Sequence, residues 1–345
     1  MALLLSALLL GACTDSEAPE AAAALAEGAE TVVTIRCTAP QLAERTSRSF
    51  GDGTGTTRLY YAMYLGDANA PDATLTFVQS NFADTTYIGS ENYLQNDIFF
   101  TVGSDGTPHA DAPLRVVMGQ TYTVIFFAST ENCPYTYSPD DFNLLMNYDL
   151  LPLCRCNDEA RDGFFNHVTF TAVKSDSNPV SVTLTRPFAQ LNVGNTTEGW
   201  QYAADNDRVP SFTGITVEGV PSALNLLTGE VSGSAYANFA VNTIPERSEA
   251  FPTVSGADLC YLAMTYVLVN EKATYTITLN ADTYNAANGD PWRIENVPMQ
   301  RNYRTNVYGD FLSYTGKYQV ELVPGFDVEG SFAGTNLGYV IVEVP

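Results

Sequence analysis

The sequence predicts an all-β protein, folded as two tandem β-sandwich domains with few short helices. Three observations carry that expectation. Segments that alternate apolar and polar residues recur along the chain, which is the pattern of strands with one buried face. No long stretch repeats with the period of an amphipathic helix, so a parallel α/β architecture lacks the helices it needs. Val124-Ile125-Phe126-Phe127-Ala128 is apolar on both faces, as a central strand of a packed sandwich is.

The N-terminus comes first. Leu3 to Leu10 is too short an apolar run to span a bilayer but has the length of a signal-peptide core. Gly11-Ala12-Cys13 follows directly. Small residues ahead of a cysteine resemble the lipobox of bacterial lipoproteins, which implies removal of residues 1–12 and acylation of Cys13. No Lys or Arg precedes the core, which leaves open a start further upstream. Residues 13–30 are Ala-rich after Thr14-Asp15-Ser16-Glu17, a composition that cannot bury a core and reads as a lipidated flexible tether. Acidic residues behind the cysteine resemble the export signal of surface lipoproteins in the Bacteroidota, implying the outer leaflet of the outer membrane.

The folded part begins at residue 31. Val33, Ile35 and Cys37 share one face of a strand, as do Leu59, Tyr61 and Met63, then Val180, Val182 and Leu184, and Tyr275, Ile277 and Leu279. Each strand is expected to bury one face. Pro139 to Met146 is predicted to form one or two helical turns capped by Ser138, and Glu198 to Asp205 a second short helix. Phe188 to Gly194 is read as closing the first set of strands. The polar stretch Asn195 to Pro210 then marks a boundary, giving domains at 31–195 and 196–345, each the size of a sandwich.

Side-chain chemistry narrows the function. The chain holds 16 basic and 39 acidic residues, a net charge of -23, a field that repels phosphate backbones, so nucleic acid is excluded as a partner. Of six cysteines, acylation of Cys13 leaves Cys37, Cys133, Cys154, Cys156 and Cys260. In an oxidising compartment Cys133 is expected to bridge to Cys154 or Cys156. Cys154-Arg155-Cys156 has the wrong spacing for zinc, and His109 and His167 have no obvious partners, so neither metal nor cofactor is expected. The sequence contains no G-x-S-x-G elbow, P-loop, H-E-x-x-H or Rossmann glycine pattern. With no base for a nucleophile either, no catalytic residue and no enzymatic activity are predicted.

Four motifs, in order, carry a family resemblance. Leu59-Tyr60-Tyr61-Ala62-Met63-Tyr64 resembles the first mature strand of Bacteroidales fimbrillins, the subunits of protease-assembled (type V) pili. Leu184-Thr185-Arg186-Pro187-Phe188-Ala189-Gln190-Leu191-Asn192-Val193 resembles the strand that ends their first domain. Gly219 to Gly229 resembles an early second-domain hairpin, and Val297 to Asn306 a late strand. The resemblance implies two Greek-key, transthyretin-like sandwiches. It does not account for the cysteine-bearing insertion at residues 131–160.

The resemblance also implies a mechanism. A first strand is removed after an arginine by a trypsin-like, Arg-specific protease, and an extended strand of a neighbouring, identical or related subunit fills the groove. Residues 31–48 are the removable strand and loop. Arg48 in Arg48-Ser49-Phe50-Gly51 resembles the processing site, with Arg45 as second choice; both lie in a polar, glycine-bearing loop of the sort proteases cut. Two segments alternate as a donor strand would: Tyr318, Val320 and Leu322, and Val340, Val342 and Val344. An ordinary terminal hairpin explains them equally well. The expected location is the outer-membrane surface through the lipid, then the extracellular fimbria. Alternatives are the non-polymerising anchor subunit of the same fimbria, which keeps its first strand, and a surface glycan-binding lipoprotein presenting Trp200 or Trp292 for stacking.

Overall fold

The structure, a computed structural model, describes residues 28–39, 50–51, 53, 55–82, 97–150, 154–173, 180–247, 251–252, 256–281, 291–313 and 318–324. Cys13, Arg45, Arg48 and the tail with Val340, Val342 and Val344 lie outside the described residues, as does the segment read as a signal peptide. Among the described residues no helix is long and apolar enough to cross a membrane.

The protein is all-β. In chain order the first strands are β1 (Glu30–Thr38), β2 (Arg58–Leu65), β3 (Thr76–Ser80), β4 (Ile98–Phe99), β5 (Thr101–Val102), β6 (Pro108–Val117), β7 (Thr121–Ser129), β8 (Thr136–Ser138), β9 (Asn143–Leu145), β10 (Phe164–Thr171) and β11 (Val180–Thr183). One four-stranded sheet has the order β11-β1-β6-β5, and a five-stranded sheet runs β10-β7-β2-β3 with β4 also on β2. Alternation explains how they pack: Ile35 and Cys37 from the first sheet share one core with Leu59, Tyr61 and Phe126 from the second.

The remaining elements are β12 (Phe188–Thr196), α1 (Thr197–Asp205), β13 (Phe212–Val220), β14 (Ala223–Asn225), β15 (Val231–Ser232), β16 (Ala235–Thr243), β17 (Leu259–Leu268), β18 (Lys272–Ala281), β19 (Trp292–Gln300), β20 (Tyr303–Gly309) and β21 (Tyr318–Pro324). They build sheets of order β17-β12-β20-β21 and β16-β13-β18-β19. Leu191, Val193, Ile215, Val217 and Ile277 fill the space between. Pairing is antiparallel except where β1 meets β11 and β12 meets β20. The short helix expected at Glu198 to Asp205 is α1; the Thr196 side chain accepts from the Gly199 N–H and so satisfies one free donor of the first turn.

Four expectations need correction. Phe188 to Thr196 does not close the first set of strands, because β12 pairs with β17 and β20. Strand pairing therefore changes ahead of Phe188 rather than after Asn195. Pro139 to Met146 is no helix; β8 and β9 form a hairpin there. Leu144 is fully buried while Leu145 is exposed, which is the period of a strand and not of a helix. All five described cysteines are free thiols, so the expected bridge from Cys133 is absent; Cys156 instead donates to the Thr213 carbonyl. Finally, β2 buries both faces rather than one.

The last point follows from the insertion. β8 and β9 join β14 and β15 in a four-stranded sheet of order β15-β14-β9-β8, so the insertion stitches early strands to late ones. Tyr60, Tyr64 and Phe127, on the back of the five-stranded sheet, share a core with Tyr137, Leu144 and Leu224. At the same seam Arg161 is enclosed by aromatic rings, its guanidinium 5.2 Å from the centroid of Tyr135 and 5.5 Å from those of Tyr148 and Phe239. Quadrupole attraction and burial reinforce each other in such a cage.

Candidate functional site

β1 is an interior strand. It pairs antiparallel with β6 along its whole length, Glu30 opposite Val117 through to Thr38 opposite His109, and parallel with β11 from Ile35 to Thr38. Val33, Ile35 and Cys37 point inward at 4%, 0% and 0% exposure. Opposite them β6 offers Leu114, Ala112 and Ala110. Burial pushes the Cys37 thiol well up, so it stays protonated and packs as a small apolar group. On the outer face Arg36 grips Asp111 through two hydrogen bonds of 2.8 Å. Hydrogen bonding from Arg36 holds the Asp111 carboxyl below the usual range. Both side chains are substantially exposed, so the pair fixes register more than it stabilises.

Beyond residues 40–49, which include Arg45 and Arg48, the chain is described again at Phe50 and Gly51. Gly51 is buried with φ +86, a left-handed conformation that favours glycine. Its N–H donates to Glu159 Oε1 at 3.0 Å, and the Tyr266 hydroxyl donates to Glu159 Oε2 at 2.7 Å. The Phe50 ring meets Tyr261 edge-on at 5.2 Å. Below Gly51 lies a fully buried ion pair, Arg186 with Asp162, and Arg186 Nη2 also reaches the Gly51 carbonyl at 3.5 Å. Phe50 and Gly51 thus meet the seam in one recess.

Tyr261, against which Phe50 stands, donates its hydroxyl to Asn192 at 3.3 Å, within a buried polar row on the β12 sheet. Arg304 donates to Gln190, and Asn192 donates to Asn306, which donates in turn to Glu321 and to the Pro252 carbonyl. All five side chains are buried. Buried polar groups must be paired, and the strand register supplies the partners, Gln190 opposite Arg304 and Asn192 opposite Asn306.

Tyr318, Val320 and Leu322 fall in β21, which is paired antiparallel with β20 along its length and is an edge strand among the described residues. Tyr318 and Val320 are buried inward. Trp200 is 8% exposed, with the Arg247 guanidinium 5.9 Å from its ring centroid. Trp292 is half-buried and donates its indole N–H to the Phe311 carbonyl at 3.1 Å. Trp200 therefore does not form the exposed stacking platform a glycan binder would present.

β1 falls where its alternation predicts, Arg45 and Arg48 lie outside the described residues, and Glu159, Asp162, Arg186 and the polar row carry no such local pattern. Arg186 stood in a recognised motif, yet its burial depends on Asp162, which nothing local announces. The Asn192 and Gln190 alternation inside an apolar strand is the signal that was available.

The model of a protein family described as a family of unknown function (DUF6562) matches residues 26–340. No curated protein matches the sequence. Among solved structures, the chain is similar to a fimbrial assembly protein from Parabacteroides distasonis ATCC 8503, 12% identical, TM-score 0.40, over 85% of this chain and 95% of that one. It is also similar to a candidate polysaccharide-binding protein (DUF1812) from Bacteroides thetaiotaomicron VPI-5482, 10% identical, TM-score 0.46, over 84% and 95%. A candidate cell adhesion protein from Bacteroides uniformis ATCC 8492 is 10% identical with TM-score 0.44, over 86% and 99%.

Proposed function

The chain belongs to the DUF6562 family, whose function is unknown, and from that premise we propose that it is a structural subunit of a surface fimbria, exported as a lipoprotein acylated at Cys13. In this proposal a trypsin-like protease cuts after Arg48, or after Arg45, β1 leaves, and a strand from a neighbouring subunit takes its place. Two tandem sandwiches then form the mature subunit, and the activity is adhesion and assembly, not catalysis.

The observation that carries the proposal is the position of β1. It is an interior strand with buried Val33, Ile35 and Cys37, and the sequence that follows it, residues 40–49, carries Arg45 and Arg48. Withdrawing it bares the facing edges of β6 and β11 and an apolar slot. Losing the burial of Val33 and Ile35 alone costs roughly 3–6 kcal/mol. An empty slot is therefore a strong acceptor for any extended strand with matching alternation. β21 is occupied in its own sheet, so the tail with Val340, Val342 and Val344 is the donor in this proposal.

The test is limited digestion of the purified protein with an Arg-specific protease, followed by mass measurement and electron microscopy. Shortening after Arg48 or Arg45 with appearance of polymers is expected. Cleavage only elsewhere, or normal filaments from a chain with Arg45→Ala and Arg48→Ala together, would sink the proposal.

A further inference from the structure

Phe50 and Gly51 follow closely behind the Arg48-Ser49 bond, and they are held by late parts of the fold. The Gly51 N–H is bound by Glu159, its carbonyl by Arg186, and the Phe50 ring stands against Tyr261 of β17. Glu159 is itself fixed by the Tyr266 hydroxyl, also on β17. Burial pushes the Tyr266 hydroxyl well above its ordinary value, so it remains a donor.

Resting on the proposed processing, we propose that this recess determines which arginine is cut, with Glu159 and Tyr266 as the positioning residues. A protease acts on locally opened chain, and when opening is fast its rate follows the open population. It must also grip a few residues on each side of the bond. Phe50 and Gly51 are the second and third residues beyond a cut after Arg48, but the fifth and sixth beyond a cut after Arg45. A cut after Arg48 therefore requires Phe50 and Gly51 to leave the recess, and a cut after Arg45 does not. Opening of the recess sets where the mature chain begins.

The full chain, Glu159→Gln and Tyr266→Phe are digested with an Arg-specific protease, and the new N-termini are followed over time by mass. Each variant weakens one or two hydrogen bonds, so the ratio of early cleavage after Arg48 to that after Arg45 should rise roughly fivefold, the equivalent of about 1 kcal/mol. Amide exchange at Gly51 should quicken by a similar factor. An unchanged ratio in variants that keep wild-type circular dichroism overturns the recess while leaving the processing intact. Cleavage at neither arginine in any of the three proteins overturns both. Tyr266→Phe removes a single hydroxyl and decides the question alone if Glu159→Gln does not fold.

Discussion

Arg186 and Asp162 face each other through two parallel hydrogen bonds of 2.7 Å, with side-chain exposures of 0% and 1%. The guanidinium also lies 4.5 Å from the centroid of Phe164. Asp162 is fixed further by accepting from the Gly163 N–H. The pair therefore sits where β10 begins, where β12 enters the other sheet, and under Gly51. Bidentate geometry repays part of the desolvation of both ions, and neither can be removed alone without burying an unpaired charge.

Arg186→Leu or Asp162→Leu should lower unfolding free energy by about 3–5 kcal/mol in urea titrations. The double variant should lose clearly less than the sum, because no charge is left stranded. Additive losses would show that the two groups do not act as a pair.

Gly163 and Gly194 stand where a side chain has no room. A Cβ on Gly163 would meet Phe127 Cζ at 2.6 Å and the Ala128 carbonyl at 3.0 Å, and one on Gly194 would meet Phe251 at 2.6 Å. Alanine at either position should cost about 1–3 kcal/mol through overpacking. Gly106, whose added Cβ would meet nothing within 4 Å, also has positive φ, so its alanine variant tests backbone strain without crowding. Thermal melts in which Gly163→Ala and Gly194→Ala match wild type would refute the crowding.

Much of this fold was legible in the sequence, and the failures share a cause. Ile35, Ile277 and Leu279 were placed correctly because a half-buried strand writes its own period of two. Val124 to Ala128 announced burial on both faces, and the seam explains why. What local pattern did not reveal was partnership. Phe188 to Thr196 reads as a strand, but its choice of β17 and β20 depends on residues far along the chain. Leu144, Leu145 and Met146 suit a helix in isolation; pairing of β9 with β14 overrides that preference. Arg161, Asp162 and Arg186 carry no local sign of burial for the same reason. Only the assembled seam makes them buried.

Ile35 separates the holding of β1 from its cutting. Its side chain is fully buried, and Ile35→Ala should remove about 2–5 kcal/mol from the docking of β1. After digestion by an Arg-specific protease, the wild-type fragment should stay with the body longer on size exclusion than the variant fragment does, before a donor strand displaces it. The cleavage site should be the same in both. Equal retention would mean that Ile35 does not anchor the strand.

Alkaline pH should unfold the protein through its buried tyrosines and thiols. Burial pushes Tyr135, Tyr137 and Tyr266 well above their ordinary value and Tyr60 up to about 12. The same cause raises Cys156 to about 12. In each case the folded form keeps a proton that the unfolded chain releases, the thiol from about pH 8.5 and the tyrosines from about pH 10. Their contribution is complete below those values and falls as pH climbs through the raised folded ones. Tyrosinate absorbance from these groups should therefore rise together with the loss of near-ultraviolet circular dichroism. Full tyrosine ionisation in a chain whose fold is still intact would contradict the burial that places these rings in the core and at the seam.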